Sequence, residues 1–167
     1  MHVLVIRHAI AEDREVFAAT GNDDALRPLT PVGMRKMRRG ARGLRALVPA
    51  IDVLASSPYT RATETADIIR RTYEIDRVEI ALVLQPDTPL DEVVGWLGRF
   101  DTGLVAIVGH EPQLGKLVTY LVAASSRSAV DLKKGAACLV EFGESPEAGK
   151  GRLVWALPPR VLRDLAG

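Results

Sequence analysis

Val3-Leu4-Val5-Ile6-Arg7-His8-Ala9 is a fully apolar run that breaks onto an arginine and a histidine. An apolar run without alternation is the pattern of a strand covered on both faces, as in a parallel sheet flanked by helices. Two further stretches have the same form. Asp52 to Ser56 leads into Ser57-Pro58, with Arg61 shortly after, and Leu104 to Val108 leads into Gly109-His110-Glu111-Pro112. Three apolar strands thus end in polar, chemistry-bearing residues.

The segments between them read as helices and loops. Glu12 to Leu29, with Gly21-Asn22-Asp23-Asp24 and Pro28, is a loop with a short helix near Val16 to Ala19. Thr30-Pro31 opens a helix as N-cap and first-turn proline, and Met34, Met37, Ala41, Leu44 and Val48 form its apolar stripe up to Pro49. Ser57-Pro58 repeats that opening signal for a helix to Tyr73, with Ala62, Ala66 and Ile69 on its inner face. Val78 to Leu84 reads as a strand, Gln85 to Pro89 as a loop, Asp91 to Phe100 as a short helix and Pro112 to Ala124 as another. Ala137 to Phe142 and Leu153 to Leu157 read as two strands that pair as an antiparallel edge, and Pro159 to Leu165 as a terminal helix. Strand and helix alternate, so the expectation is an α/β single domain over residues 1–167. It is a three-layer sandwich with a mostly parallel central sheet and helices on both faces. In such sheets ligands bind beyond the carboxyl ends of the strands.

Composition narrows the function classes. The 167 residues fit one domain. A net charge of +1 speaks against nucleic acid held by bulk charge. No apolar run is long enough to span a bilayer, and the early Arg7 interrupts any secretory signal, so a cytoplasmic location is expected. The single cysteine, Cys138, forms neither an intrachain disulfide nor a thiolate zinc site. Among the basic residues 17 are arginine and five lysine, a bias that base composition explains in bulk, so each arginine is argued separately.

Arg7, His8, Arg61 and His110 converge on one rim if the three strands lie side by side. A neutral imidazole is a nucleophile suited to covalent phosphoryl transfer, and forked guanidinium donors stabilise the charge on the transferring oxygens. The same cations depress the pKa of His8 and keep it neutral. Free N–H groups at the Ser57-Pro58 helix opening would add an anion pocket. Taken singly, each residue also has a plain structural reading as a cap, a turn or a solvated charge.

Four ordered blocks then resemble the histidine phosphatase superfamily, and most of all its small branch of SixA-type phosphohistidine phosphatases. They are Arg7-His8-Ala9 with Ala11, and Asp24-x-x-Arg27-Pro28-Leu29-Thr30-x-x-Gly33. The third is Ser56-Ser57-Pro58-x-x-Arg61-Ala62-x-x-Thr65-Ala66, and the fourth Val108-Gly109-His110-Glu111-Pro112. The resemblance covers Met1 to about Leu121. It implies that His8 is phosphorylated in turnover, that Arg7, Arg61 and His110 form the phosphate pocket, and that Arg27 reaches the phosphate or the substrate; Ser57, at the helix opening, is expected to bind phosphate as well. It implies no metal and no organic cofactor. The substrate it implies is a phosphorylated protein, such as a histidine phosphotransfer domain, or a small phosphorylated molecule; no nucleic acid or membrane is involved.

Two departures shape the expected substrate. Ala9 stands where the wider superfamily has glycine. The carboxylic acid that larger members carry in an inserted segment has no obvious equivalent; Asp87, Glu111 and Glu12 are the candidates. A weak acid disfavours alkyl phosphate esters, whose leaving groups need a proton, and is tolerable for phosphohistidine. Broad phosphomonoesterase activity and a silent phosphoprotein-binding module are the alternatives. The basic face from Arg35 to Arg45 reads as a solvated face or a docking surface, Asp23-Asp24 and Glu12-Asp13 as loop charges and caps, His2 as a sheet-edge residue, and Trp96 and Trp155 as core.

Overall fold

A computed structural model describes all 167 residues. The strands are β1 (His2–Arg7), β2 (Val53–Ser56), β3 (Glu79–Ile80), β4 (Leu104–Gly109), β5 (Ala137–Glu141) and β6 (Arg152–Leu157). The helices are α1 (Arg14–Ala18), α2 (Pro31–Leu47), α3 (Thr60–Tyr73), α4 (Leu90–Leu97), α5 (Gln113–Ala123) and α6 (Pro159–Asp164). The sheet order is β3-β2-β4-β1-β5-β6, parallel from β3 through β1, with β5 and β6 antiparallel at one edge. The expected α/β sandwich is therefore observed.

Period-2 side-chain direction divides each central strand between two cores. Leu4 and Ile6 join Met37, Ala41, Leu44, Ala66 and Ile69 under α2 and α3. Val3 and Val5 join Val93, Leu97, Leu114, Leu117 and Leu121 under α4 and α5. Strands covered on both sides cannot afford alternation, which is why they read as unbroken apolar runs. Gly33 lets α2 approach the first loop: a Cβ there would lie 2.1 Å from the Ile10 carbonyl oxygen.

Four sequence readings need correction. Val78 to Leu84 is not one strand: only Glu79 and Ile80 pair with the end of β2, and Leu82–Leu84 turns into a 3₁₀ helix. The sheet ends at that edge, so no partner extends the pairing. His2 is not on a sheet edge; it begins β1, between Leu104 of β4 and Glu141 of β5. Ser57 is not a helix cap: α3 begins at Thr60 after Tyr59 and has no side-chain cap. Trp96 is in the core, whereas Trp155, on the edge strand β6, is only half-buried against it. No helix is long and apolar enough to cross a membrane.

Candidate active site

β1, β2 and β4 are neighbours, so their carboxyl ends bring Arg7, Ser57 and His110 to one rim, and α3 adds Arg61 from its first turn. A cleft of about 770 Å³ opens there, and Arg7, His8, Arg27, Arg61, His110 and Tyr59 are among its lining residues. His8 and His110 lie with ring centroids 5.3 Å apart.

His8 is held by its own neighbour. Its Nδ1 lies 2.7 Å from the Ala9 carbonyl oxygen. A carbonyl only accepts, so Nδ1 carries the proton and the Nε2 lone pair is free. Ala9 is fixed in turn by its N–H, which donates to Thr65 Oγ1 on α3 (3.0 Å). Burial, with added repulsion from Arg61, Arg7 and Lys134, pushes His8 down to about 3, although its bond to the Ala9 carbonyl works the other way. The cations contribute as the sequence suggested, but desolvation is the larger cause. His110 is likewise pushed to about 3, by burial first and then by His8 and Arg61. Its Nε2 lies 2.8 Å from Ser57 Oγ.

These shifts have a pH consequence. The rings titrate near 6.5 when solvated and near 3 when folded, so between those values the unfolded chain binds more protons. Their contribution to stability is complete above the upper value and is lost as pH falls toward the lower one. Ring resonances of both histidines are expected to keep their neutral positions from about pH 8 to pH 5, well above the folded midpoints. A midpoint near the solvated value for either ring, read by NMR, would contradict this.

The arginines are anchored by oxygen atoms. Arg7 Nη1 donates to the Leu132 carbonyl (2.6 Å). Arg61 Nη1 donates to the Asp24 carbonyl (2.8 Å), and its Nη2 pairs with Asp24 Oδ2 (3.1 Å). Arg27 Nε donates to Asp24 Oδ1 (2.8 Å) and Nη1 to the Glu12 carbonyl (2.7 Å). The Nε atoms of Arg7 and Arg61 and Nδ1 of His110 are buried without a protein partner.

Asp24 corrects another expectation. In sequence it has, like Asp23, the look of a loop charge or cap. Asp23 does cap the 3₁₀ turn Asp24–Leu26, and Asp13 caps α1, but the Asp24 carboxylate ties Arg27 to Arg61. Against burial, which raises it, the hydrogen bond from Arg27 first and then the charges of Arg61, Arg27 and Arg14 hold its pKa below the usual carboxylate range. The Asp24-x-x-Arg27 block held the only sequence signal for this role.

The candidate acids are placed differently. Glu12 and Asp87 are exposed at the mouth of the cleft. Glu111 is half-buried, and burial raises its pKa. Its Oε1 accepts the Leu132 N–H (3.0 Å), and Leu132 in turn receives Arg7. Glu111 therefore braces the loop that fixes Arg7. Glu111→Gln keeps an accepting oxygen and is expected to retain activity within a few-fold. Glu111→Ala removes the brace and should lower kcat/KM by roughly 10- to 100-fold through misplacement of Arg7. Equal, severe losses in both variants would instead mark Glu111 as a proton donor.

No group of three or more His, Cys, Asp or Glu side chains is arranged to hold a metal ion. A second concavity, about 1120 Å³, lies between α2 and α3 and includes Arg38, Arg42 and Arg45. Part of the basic face there is structural: Arg39 Nε donates to the Arg163 carbonyl and Arg45 Nη1 to that of Thr72.

The fold and this rim place His8 and His110 among Arg7, Arg27 and Arg61 at the carboxyl ends of parallel strands. The sequence profile of the histidine phosphatase superfamily (branch 1) matches residues 3–93, and the chain belongs to that superfamily. It is 28% identical over 137 residues to an uncharacterized protein of Picosynechococcus sp., covering 80% of this chain and 81% of that one. In fold it is similar to the protein histidine phosphatase SixA, solved with tungstate, at a TM-score of 0.82 and 24% identity, covering 97% of this chain and 99% of that one. It is also similar to a phosphoserine phosphatase mutant of Entamoeba histolytica in complex with phosphoserine, at a TM-score of 0.69 and 13% identity over 96% and 98% of the chains. An alpha-ribazole phosphatase of Shigella flexneri gives a TM-score of 0.68 and 15% identity over 90% and 96%.

Proposed function

We propose that this phosphatase acts on phosphohistidine in proteins, or on a related phosphoramidate, through a phospho-His8 intermediate. The observation that carries the reading is the His8 ring: neutral, with Nδ1–H committed to the Ala9 carbonyl and Nε2 left as the nucleophile. Nε2 bonds to phosphorus as the P–N bond of the substrate breaks. The leaving imidazole already carries a proton on its other nitrogen, so it departs neutral. Water then attacks phosphorus, the P–Nε2 bond breaks with its electrons returning to Nε2, and both protons of the water leave with inorganic phosphate as dihydrogen phosphate. Arg7, Arg61, Arg27 and His110 stabilise the oxygens of the transferring group. The unpartnered Nε donors of Arg7 and Arg61 suit an anion of that geometry. Ser57 holds His110 through its Nε2.

The substrate preference follows from the carboxylates. Asp24 is held ionised among arginines and Glu111 is engaged by Leu132 N–H, which leaves no buried acid for an alkoxide. Rates across a series of phosphate esters are therefore expected to fall steeply as leaving-group pKa rises, with a phosphohistidine protein turned over faster than phosphoserine. A flat dependence, with Asp87 or Glu12 essential, would favour the second reading, a small-molecule phosphomonoesterase. The likeness in fold to phosphoserine and alpha-ribazole phosphatases keeps that reading in view.

A further inference from the structure

We propose that Lys134 binds a second anionic group of the substrate, a carboxylate or phosphate beside the transferable phosphoryl group, and so selects substrates that carry one. The proposal rests on the phosphatase reading and extends it to the part of the substrate that is not transferred.

The backbone fixes Lys134 next to the nucleophile. Gly135, at φ +81°, donates its N–H to the carbonyls of Arg7 (3.2 Å) and His8 (3.1 Å). Arg7 N–H donates to the Ala136 carbonyl (3.1 Å), and Ala136 N–H to that of Lys133 (2.8 Å), closing the turn. A residue with a side chain is strained at that positive φ, so glycine allows the turn that presents Lys134 to the cleft.

The electrostatics around the ammonium are unbalanced. Lys134 lines the cleft with Arg7, Arg14 and Arg27 and makes no ion pair. Those three arginines repel it and Asp13 attracts it; Glu12 is a further carboxylate lining the cleft. Asp13 Oδ1 already accepts the Glu15 and Val16 N–H groups, and Asp24 is held by Arg27 and Arg61. Burial and its cationic neighbours lower the pKa of Lys134. Asp13 offsets only part of the repulsion that the guanidinium groups exert on this ammonium, and an arriving anion would offset more of it. A cleft of about 770 Å³ also holds far more than a phosphoryl group, so substrate atoms beyond it come within reach of this cationic wall.

The test compares phenyl phosphate bearing a ring carboxylate with the same compound bearing a carboxamide, and phosphohistidine peptides with Asp or Asn beside the modified residue. The wild type is expected to favour the carboxylate member of a pair by about tenfold in kcat/KM. Lys134→Met should bring that ratio close to one, mainly through KM, and Lys134→Arg should restore part of it. Discrimination in the peptide pair alone assigns the anion to a polypeptide; discrimination in the phenyl pair alone assigns it to a small molecule. Either supports the site. No preference in the wild type, or one unchanged in Lys134→Met, overturns it. So does an equal loss for both members matched by the same loss of inhibition by inorganic phosphate, since Lys134 would then hold only the transferring group. If folded wild type hydrolysed none of these compounds, the phosphatase reading would fail by itself, and calorimetric binding of the same pairs would still decide the role of Lys134.

Discussion

His8→Ala is expected to abolish turnover and leave the fold intact. The substitution deletes Nε2, the atom that would bond to phosphorus; the other ring at the rim, His110, has its Nε2 engaged by Ser57 and an unpartnered Nδ1 that the mechanism uses to bind the phosphoryl oxygens. Loss of a nucleophile from a covalent mechanism costs on the order of 10⁴-fold or more, because the remaining phosphate-binding groups cannot form the intermediate. The fold should survive because the only hydrogen bond of the His8 ring is to the adjacent Ala9 carbonyl, while β1 is held by Val3 to Ile6 in the two cores. Acid quench of the wild type with labelled substrate should trap an acid-labile phosphoenzyme that the variant lacks. Undiminished turnover in the folded variant would sink the covalent mechanism.

The sheet and the rim were legible because their cause is local. Val3 to Ile6 and Leu104 to Val108 must be apolar at every position, as both faces are covered, and a buried strand followed by Arg-His or Gly-His has few other readings. What stayed hidden depends on partners distant in sequence. Asp24 looks like Asp23 beside it, and only the fold brings Arg61 to its carboxylate. Lys134, in Lys133-Lys134-Gly135, has the composition of any surface turn; its place follows from the bonds of Gly135 to Arg7 and His8. Ser57-Pro58 carries a helix-opening signal, but the buried hydroxyl meets His110 and the helix starts two residues beyond the proline. His2 shows that strand order is set by crossovers, which no single strand encodes.

Arg61→Ala is expected to lower kcat by roughly 10²- to 10³-fold, the loss found when one fixed donor to a developing oxyanion is removed. The size of the effect depends on how firmly the guanidinium is held. Arg61 is only 3% exposed, sits on the first turn of α3, and lies with Cζ 5.0 Å from the centroid of the Tyr59 ring, which packs in turn on His110. Asp24 grips it at two points, one of them a backbone carbonyl, so little reorganisation remains when charge develops on the phosphoryl oxygens. Arg61→Lys should rescue poorly, because an ammonium cannot reproduce the fork. Asp24→Asn should be milder than Arg61→Ala, since the backbone carbonyl contact to Arg61 remains and the amide oxygen can still accept from one of the two arginines. Stability should fall less than activity, because Arg27 stays beside the Asp24 carboxylate and no lone charge is buried. Kinetics, tungstate affinity and thermal unfolding on one set of variants separate the cases. If Arg61→Ala changed only the unfolding temperature, with kcat and tungstate binding intact, Arg61 would be a strut between α3 and the Asp24–Arg27 loop, and the charge on the transferring group would have to be met by Arg7 and Arg27.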